Sequence, residues 1–138
     1  MIQYTKSLEN INQNQLKGFF VGWPNPPSEE ILLKILSKSY KAILAKDDDR
    51  VIGFITAISD GVLSAYIPLL EVLPAYQGQG IGGELIARMK STLSHLYMVD
   101  LLCDENLISY YEKHGMTKAS GALIRNYERQ NGLLKQEF

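Results

Sequence analysis

Residues 78–83 read GQGIGG, with glycine at 78, 80, 82 and 83, and an amphipathic pattern starts directly after them. Glycines so spaced let the backbone approach a ligand and adopt positive φ. The first N–H groups of a helix opening near Gly80 have no internal partner, and the dipole there favours an anion. A phosphate or pyrophosphate is the natural guest of such a turn; a plain strand-to-helix connection is the alternative without chemistry. The stretch also fits G-x-G-x-x-G, and Asp100 falls about 20 residues on, where a dinucleotide fingerprint expects a ribose partner. The context disagrees. That fold sets its glycines in the tight turn after a buried strand, whereas residues 73–77, including Pro74, intervene here. The preceding segments read as an antiparallel meander, and too little chain follows Gly83 for a doubly wound sheet. No Gly-Lys-Ser/Thr follows the glycines, which excludes a P-loop.

Other chemistry-bearing residues are few. Glu71 sits in the apolar run LLEVL and, on strand alternation, faces opposite to Leu70 and Val72. A carboxylate so placed can act as a base, or be structurally paired. Asp100, in YMVDLLC, is a second candidate. The aspartates of DDDR (47–50) read as a solvated turn, and His95 and His114 lack partners at metal-ligand spacing, so no metal is expected. Cys103, in an apolar run, reads as a small buried hydrophobe.

Along the chain that carries these residues, 2–5 read as a strand and 8–20 as a helix. A breaker-rich loop at 21–27 follows. Ser28 caps a helix whose inner stripe is Ile31, Leu32, Ile35 and Leu36. KAILAK (41–46) and VIGFITAI (51–58) form a hairpin. Residues 64–73 read as a third long strand, with Pro68 marking a bulge or an edge. From Gly80 to about Leu96, Ile81, Leu85, Met89 and Leu93 recur at helical spacing. A strand at 97–103, a helix at 105–114 closed by Gly115, and one or two strands at 116–127 complete the pattern, with the terminal GLLKQEF expected to fray. The order β-α-α-β-β-β-α-β-α-β predicts an α/β fold, a mixed sheet with helices against it, in a single domain spanning residues 1–138.

Hydrophobic residues make up 46% of the chain and charged residues 21%, an ordinary globular balance. A net charge of -1 offers no broad basic field, which argues against a nucleic-acid partner. One cysteine forbids an intrachain disulfide and implies a reducing, cytoplasmic setting. No apolar stretch approaches the ~20 residues of a membrane helix, so no membrane partner is expected.

The stretch EVLPAYQGQGIGGELI is similar to the acyl-CoA-binding motif Q/R-x-x-G-x-G/A of the GNAT superfamily of N-acetyltransferases, here Gln77, Gly80 and Gly82. YYEKHGM (110–116) resembles that family's second landmark, a helix ending in F/Y-Y-E-K-x-G-F. The resemblance implies a central, mostly antiparallel sheet with splayed middle strands and flanking helices. It implies acetyl-CoA as cosubstrate, with its pyrophosphate on the backbone N–H groups of Gly78, Gln79, Gly80, Ile81, Gly82 and Gly83. The pantetheine arm would run beside Leu70 and Val72, as an added strand does.

The reaction implied is acetyl transfer from the thioester to a primary amine, by direct attack. The resemblance assigns Tyr111 as proton donor to the departing thiolate and leaves Tyr110 as packing. Glu71 is the leading base, from the strand that should line the acceptor site. The backbone N–H of Val72 or Leu73 is the expected oxyanion donor. The family often has Asn seven residues before the tyrosine; here Asp104 stands there, with Asn106 nearby, and either could meet the pantetheine. Trp23, with Phe19 and Phe20, could shape the acceptor pocket or simply lid the core. The acceptor is left open among small amines, amino acids, aminoglycosides and protein amines. A non-catalytic acyl-CoA-binding module on the same fold is the other reading, and a homodimer is compatible with the resemblance.

Overall fold

A computed structural model describes residues 1–133. Most of the GLLKQEF stretch expected to fray therefore lies outside the described residues. Six strands are present, β1 (Ile2–Thr5), β2 (Lys41–Asp47), β3 (Arg50–Ser59), β4 (Ser64–Tyr66), β5 (Leu70–Val72) and β6 (Met98–Asp100), with three α-helices, α1 (Glu29–Lys38), α2 (Ile81–Thr92) and α3 (Ile108–Lys113). The sheet runs β1-β2-β3-β4-β6, and β5 also pairs with β3. Every pairing is antiparallel except β4 with β6.

Alternation along β2 and β3 sorts the core into two layers. Ile43 and Ile55 pack under α2 with Leu85, Met89 and Leu93. Leu44 and Phe54 face the other way, against Leu32 and Leu36 of α1 and Leu16 and Phe20 of the N-terminal segment. Ser28 Oγ accepts the Ile31 N–H at 3.2 Å and caps α1, with Glu29 and Glu30 in its first turn. The tight β2–β3 turn puts Asp48 at φ 51. Its neighbour Asp47 accepts the Tyr76 hydroxyl at 2.7 Å.

Three expectations are corrected. The 8–20 segment forms only a 3₁₀ turn at Gln13–Gln15, capped by Asn12. Asn-rich sequence satisfies backbone donors locally and so favours caps and turns over helix, and Asn10, Gly18 and Phe20 all take positive φ. The 64–73 strand is broken in two, as β4 and β5, on either side of Pro68. Proline has no N–H for the ladder. Residues 116–126 lie in no strand, and a 3₁₀ turn follows at Tyr127–Arg129.

The break at Pro68 opens the sheet. β4 pairs with β6 from Ser64 to Tyr66, and the Ile67 N–H still reaches the Asp100 carbonyl at 2.9 Å. Beyond it the strands part: β5 continues along β3, from Ile55↔Leu70 to Gly53↔Val72, and among the described residues no strand pairs with its other side. The middle strands are splayed, as the resemblance implies.

Candidate active site

The splay leaves one edge of β5 open, and the hydrogen-bond register says which groups face the opening. The Leu69 carbonyl accepts the Thr56 N–H at 3.0 Å, and the Leu73 N–H donates to the Ile52 carbonyl at 2.8 Å. Residues 69, 71 and 73 therefore direct their main-chain groups at β3, while those of Leu70 and Val72 point into the gap. Of the two oxyanion donors expected, Leu73 is removed: its N–H is engaged in the sheet and its side chain is buried. Val72 keeps its N–H toward the gap, and its carbonyl accepts from Gln77 Nε2 at 2.9 Å. Gln77 thus ties the glycine turn to the end of β5.

A cavity of about 570 Å³ occupies the gap, lined by Leu70, Val72, the glycine turn, Tyr110, Tyr111 and His114. At its mouth α2 begins with no side-chain cap, behind Gly80 at φ 83. The N–H groups of Ile81, Gly82 and Gly83 have no partner within the helix, and the positive end of its dipole faces the same way. Gln79 is exposed in this turn.

The four glycines divide into two roles. Gly78 and Gly80 hold φ 79 and 83, and a Cβ on either would meet nothing within 4 Å, so backbone conformation alone requires them. Gly82 and Gly83 are helical, and there space decides. A Cβ on Gly82 would lie 2.5 Å from Tyr110 Oη, and one on Gly83 2.7 Å from His114 Cε1. Tyr110 packs edge-on against both Tyr111 and His114, with centroids at 5.3 and 4.8 Å. The part played by His114 was missed in the sequence. The signal was available in the i, i+4 spacing of Tyr110 and His114, which places them on one face of α3.

Tyr111 is half-buried and borders two cavities, the one in the gap beside β5 and a smaller one of about 110 Å³ that it shares with Cys103, Ile108 and Met116. Burial pushes its phenol up to about 12, reinforced by neighbouring Cys103 and Tyr110. Cys103 is half-buried rather than buried as expected, because the strand meant to carry it ends at Asp100.

Glu71 turns to the opposite face of the sheet. Its carboxylate accepts the Phe20 N–H at 2.9 Å and the Val21 N–H at 3.3 Å. Phe20 holds φ 62, an uncommon conformation for a bulky residue, and packs at a tilt against Trp23, with ring centroids 4.8 Å apart. Glu71 therefore anchors the loop that carries the aromatic cluster, the structurally paired alternative for this carboxylate, with partners about 50 residues away in the chain. Asp104 precedes the Glu105–Leu107 turn without a side-chain cap, and both it and Asn106 are exposed. Neither borders the cavity, whereas Leu107 does. Asp100 borders a different cleft, beyond β6. Among the described residues no group of three or more His, Cys, Asp or Glu could hold a metal ion, and no helix is long and apolar enough to cross a membrane.

The profile of the acetyltransferase (GNAT) family matches residues 8–116. A crystallised protein of Deinococcus radiodurans R1, described as a candidate acetyltransferase, is 44% identical with a TM-score of 0.94, over 97% of this chain and 94% of that one. A GNAT-family acetyltransferase of Streptococcus pneumoniae TIGR4 is 31% identical with a TM-score of 0.71, over 91% and 98%. The uncharacterized N-acetyltransferase ycf52 of Pyropia yezoensis is 27% identical over 83% of this chain and 70% of its own. Family profile, fold and glycine turn agree, and the chain belongs to the GNAT acetyltransferase family.

Proposed function

We propose that the protein is an N-acetyltransferase that moves an acetyl group from acetyl-CoA to a primary amine by direct attack. The observation that carries the reading is the uncapped start of α2 opening onto the same cavity as the free edge of β5 and Tyr111. The residues present fit the coenzyme: Gly78 and Gly80 leave open space before a row of unpartnered N–H groups, which suits a diphosphate. Leu70 and Val72 offer main-chain groups to an extended pantetheine.

When bound, the thioester supplies an activated acetyl carbon, so that a C–N bond forms as the C–S bond breaks. The Val72 N–H stabilises charge on the acetyl oxygen in this reading. Tyr111 donates its hydrogen bond to the sulfur. With the phenol near 12, outright transfer to a thiolate, whose thiol titrates at roughly 8.5, is uphill. Tyr111 therefore passes on a proton only as it gains one from the newly acylated nitrogen. Glu71, on the face of the sheet that carries Phe20 and Trp23, takes the proton of the incoming ammonium, directly or through water. Amine and coenzyme thus approach from opposite faces and meet at the edge of β5. The acceptor is a small-molecule or protein amine.

The engagement of the Glu71 carboxylate by two backbone N–H groups favours a second reading, an acyl-CoA-binding module without turnover. Calorimetric titration with acetyl-CoA, CoA and NAD, followed by thiol release over a panel of amines, separates the two. Coenzyme A binding with amine-dependent thiol release is the expected result. Binding without release on any amine selects the module, and NAD binding without CoA binding overturns both.

A further inference from the structure

His114 closes α3, and its half-buried imidazole is held in place by three neighbours. Lys90 Nζ donates to the His114 carbonyl at 3.1 Å and pins the main chain. Tyr110, one turn earlier, packs edge-on against the ring with centroids 4.8 Å apart. Gly83 lies against it, where a Cβ would fall 2.7 Å from Cε1, 3.3 Å from Nε2 and 3.6 Å from Nδ1. The ring therefore rests on the first turn of α2, and the edge that carries both nitrogens is the one nearest Gly83. Among the described residues the one imidazole hydrogen bond is that of His95, with Tyr40 at 3.3 Å, so neither His114 nitrogen has a protein partner. The residue borders the cavity in the gap and a second one of about 390 Å³, which it shares with Lys90 and Lys113. Lys113 also borders both, and no acidic residue lines either.

We propose that the His114 imidazole donates a hydrogen bond to the diphosphate of the coenzyme, beside the backbone N–H groups that open α2. This rests on the coenzyme reading above. A polar group withdrawn from solvent is rarely left without a partner, and either tautomer of a neutral imidazole offers one N–H. The N–H groups of Ile81, Gly82 and Gly83 point along the axis of α2, whereas His114 reaches the same place from the side, on a different element. Packing has already fixed the ring, so little freedom is lost when the ligand arrives. Gly83 thereby serves the ligand twice, through its own N–H and by leaving room for the imidazole. The landmark F/Y-Y-E-K-x-G-F leaves this position open, so the contact belongs to this chain and not to the motif. The spacing that disqualifies His114 as a metal ligand does not bear on this role.

Calorimetric titration with CoA tests it. His114→Phe keeps a ring against Tyr110 and Gly83 but removes both nitrogens, and should raise the Kd about tenfold, the loss of one hydrogen bond to a charged group. His114→Gln restores a donor and should stay within about threefold of the unaltered chain. Inorganic pyrophosphate should compete with CoA in the unaltered chain, and about tenfold less well in His114→Phe. Far-ultraviolet dichroism checks that each variant folds; should the Phe variant not fold, His114→Leu carries the same expectation. An unchanged Kd in His114→Phe overturns the proposal and leaves the coenzyme reading standing. Equal losses in the Phe and Gln variants overturn it too, because packing alone then accounts for the effect. Pyrophosphate that fails to compete in the unaltered chain does the same. If the unaltered chain binds no CoA, the coenzyme reading itself falls, and this contact with it.

Discussion

Gly82 and Tyr110 compete for one space: a Cβ on the glycine would sit 2.5 Å from the phenol oxygen but 3.7 Å from the ring carbon that bears it. The hydroxyl alone is therefore in the way. Gly82→Ala should lower stability by about 1–2 kcal/mol, because overpacking outweighs the helix-propensity gain of alanine. In a Tyr110→Phe background the same change should be neutral or stabilising. Denaturant melts of the four proteins in this double-mutant cycle check it, with an expected coupling of about 1–2 kcal/mol. Additive effects would mean that α3 shifts freely on α2.

Gly80 requires its conformation rather than its space. Gly80→Ala should cost about 1–2 kcal/mol of stability from the left-handed backbone, and should raise the Kd for CoA about tenfold by misaligning the N–H groups behind it. Calorimetry on the folded variant reads the second effect. An unchanged Kd beside a lowered Tm would remove the diphosphate from this turn.

Tyr111→Phe should reduce kcat by roughly 10²–10⁴, the range of a lost proton-transfer partner, with little change in KM for acetyl-CoA. The raised phenol gives a pH signature as well. The folded state holds its proton to about 12, while the unfolded chain releases it near the ordinary 10.0. The stability contributed is complete below pH 10 and is lost as pH rises toward 12. Tm should fall across that window, and less steeply in Tyr111→Phe. Tyr4, Tyr76 and Tyr110 are also raised, so some slope remains.

Glu71→Gln separates anchoring from base catalysis. Loss of charge-assisted bonds to Phe20 and Val21 should lower stability by about 2 kcal/mol. A base would add a drop of about 10² in kcat/KM with the Kd for CoA unchanged. An unchanged kcat/KM in the folded variant would leave Glu71 as an anchor only.

Thr56 is fully buried in β3 and its hydroxyl has no partner among the described residues. Replacing an unsatisfied buried polar group by an apolar one of similar shape removes a desolvation penalty of about 1–3 kcal/mol. Thr56→Val should therefore raise Tm by several degrees without changing turnover. A lower Tm would show that the hydroxyl is hydrogen-bonded in solution.

Local pattern was legible where it agreed with the final contacts. Ser28 and the stripe through Leu32 and Leu36 gave α1, and the apolar runs either side of DDDR gave the β2–β3 hairpin, because caps, turns and side-chain period act over a few residues. The helix expected at 8–20 failed because Asn10, Gly18 and Phe20 take positive φ, which confines the helical turn capped by Asn12 and Gln15 to Gln13–Gln15. At 116–126 a strand-like composition pairs with no strand among the described residues, and without a ladder partner the segment stays irregular.

Residue type at short spacing was enough for α1, the β2–β3 hairpin, the glycine turn ahead of α2 and the tyrosine helix after β6, since each is a local pattern. Long-range packing settles that Val72 and not Leu73 presents its N–H to the gap, that Glu71 binds the Phe20 loop, and that Gly82 yields to Tyr110. These depend on contacts between residues far apart in the chain, whose register is fixed only when Pro68 breaks the strand and α2 settles on the sheet.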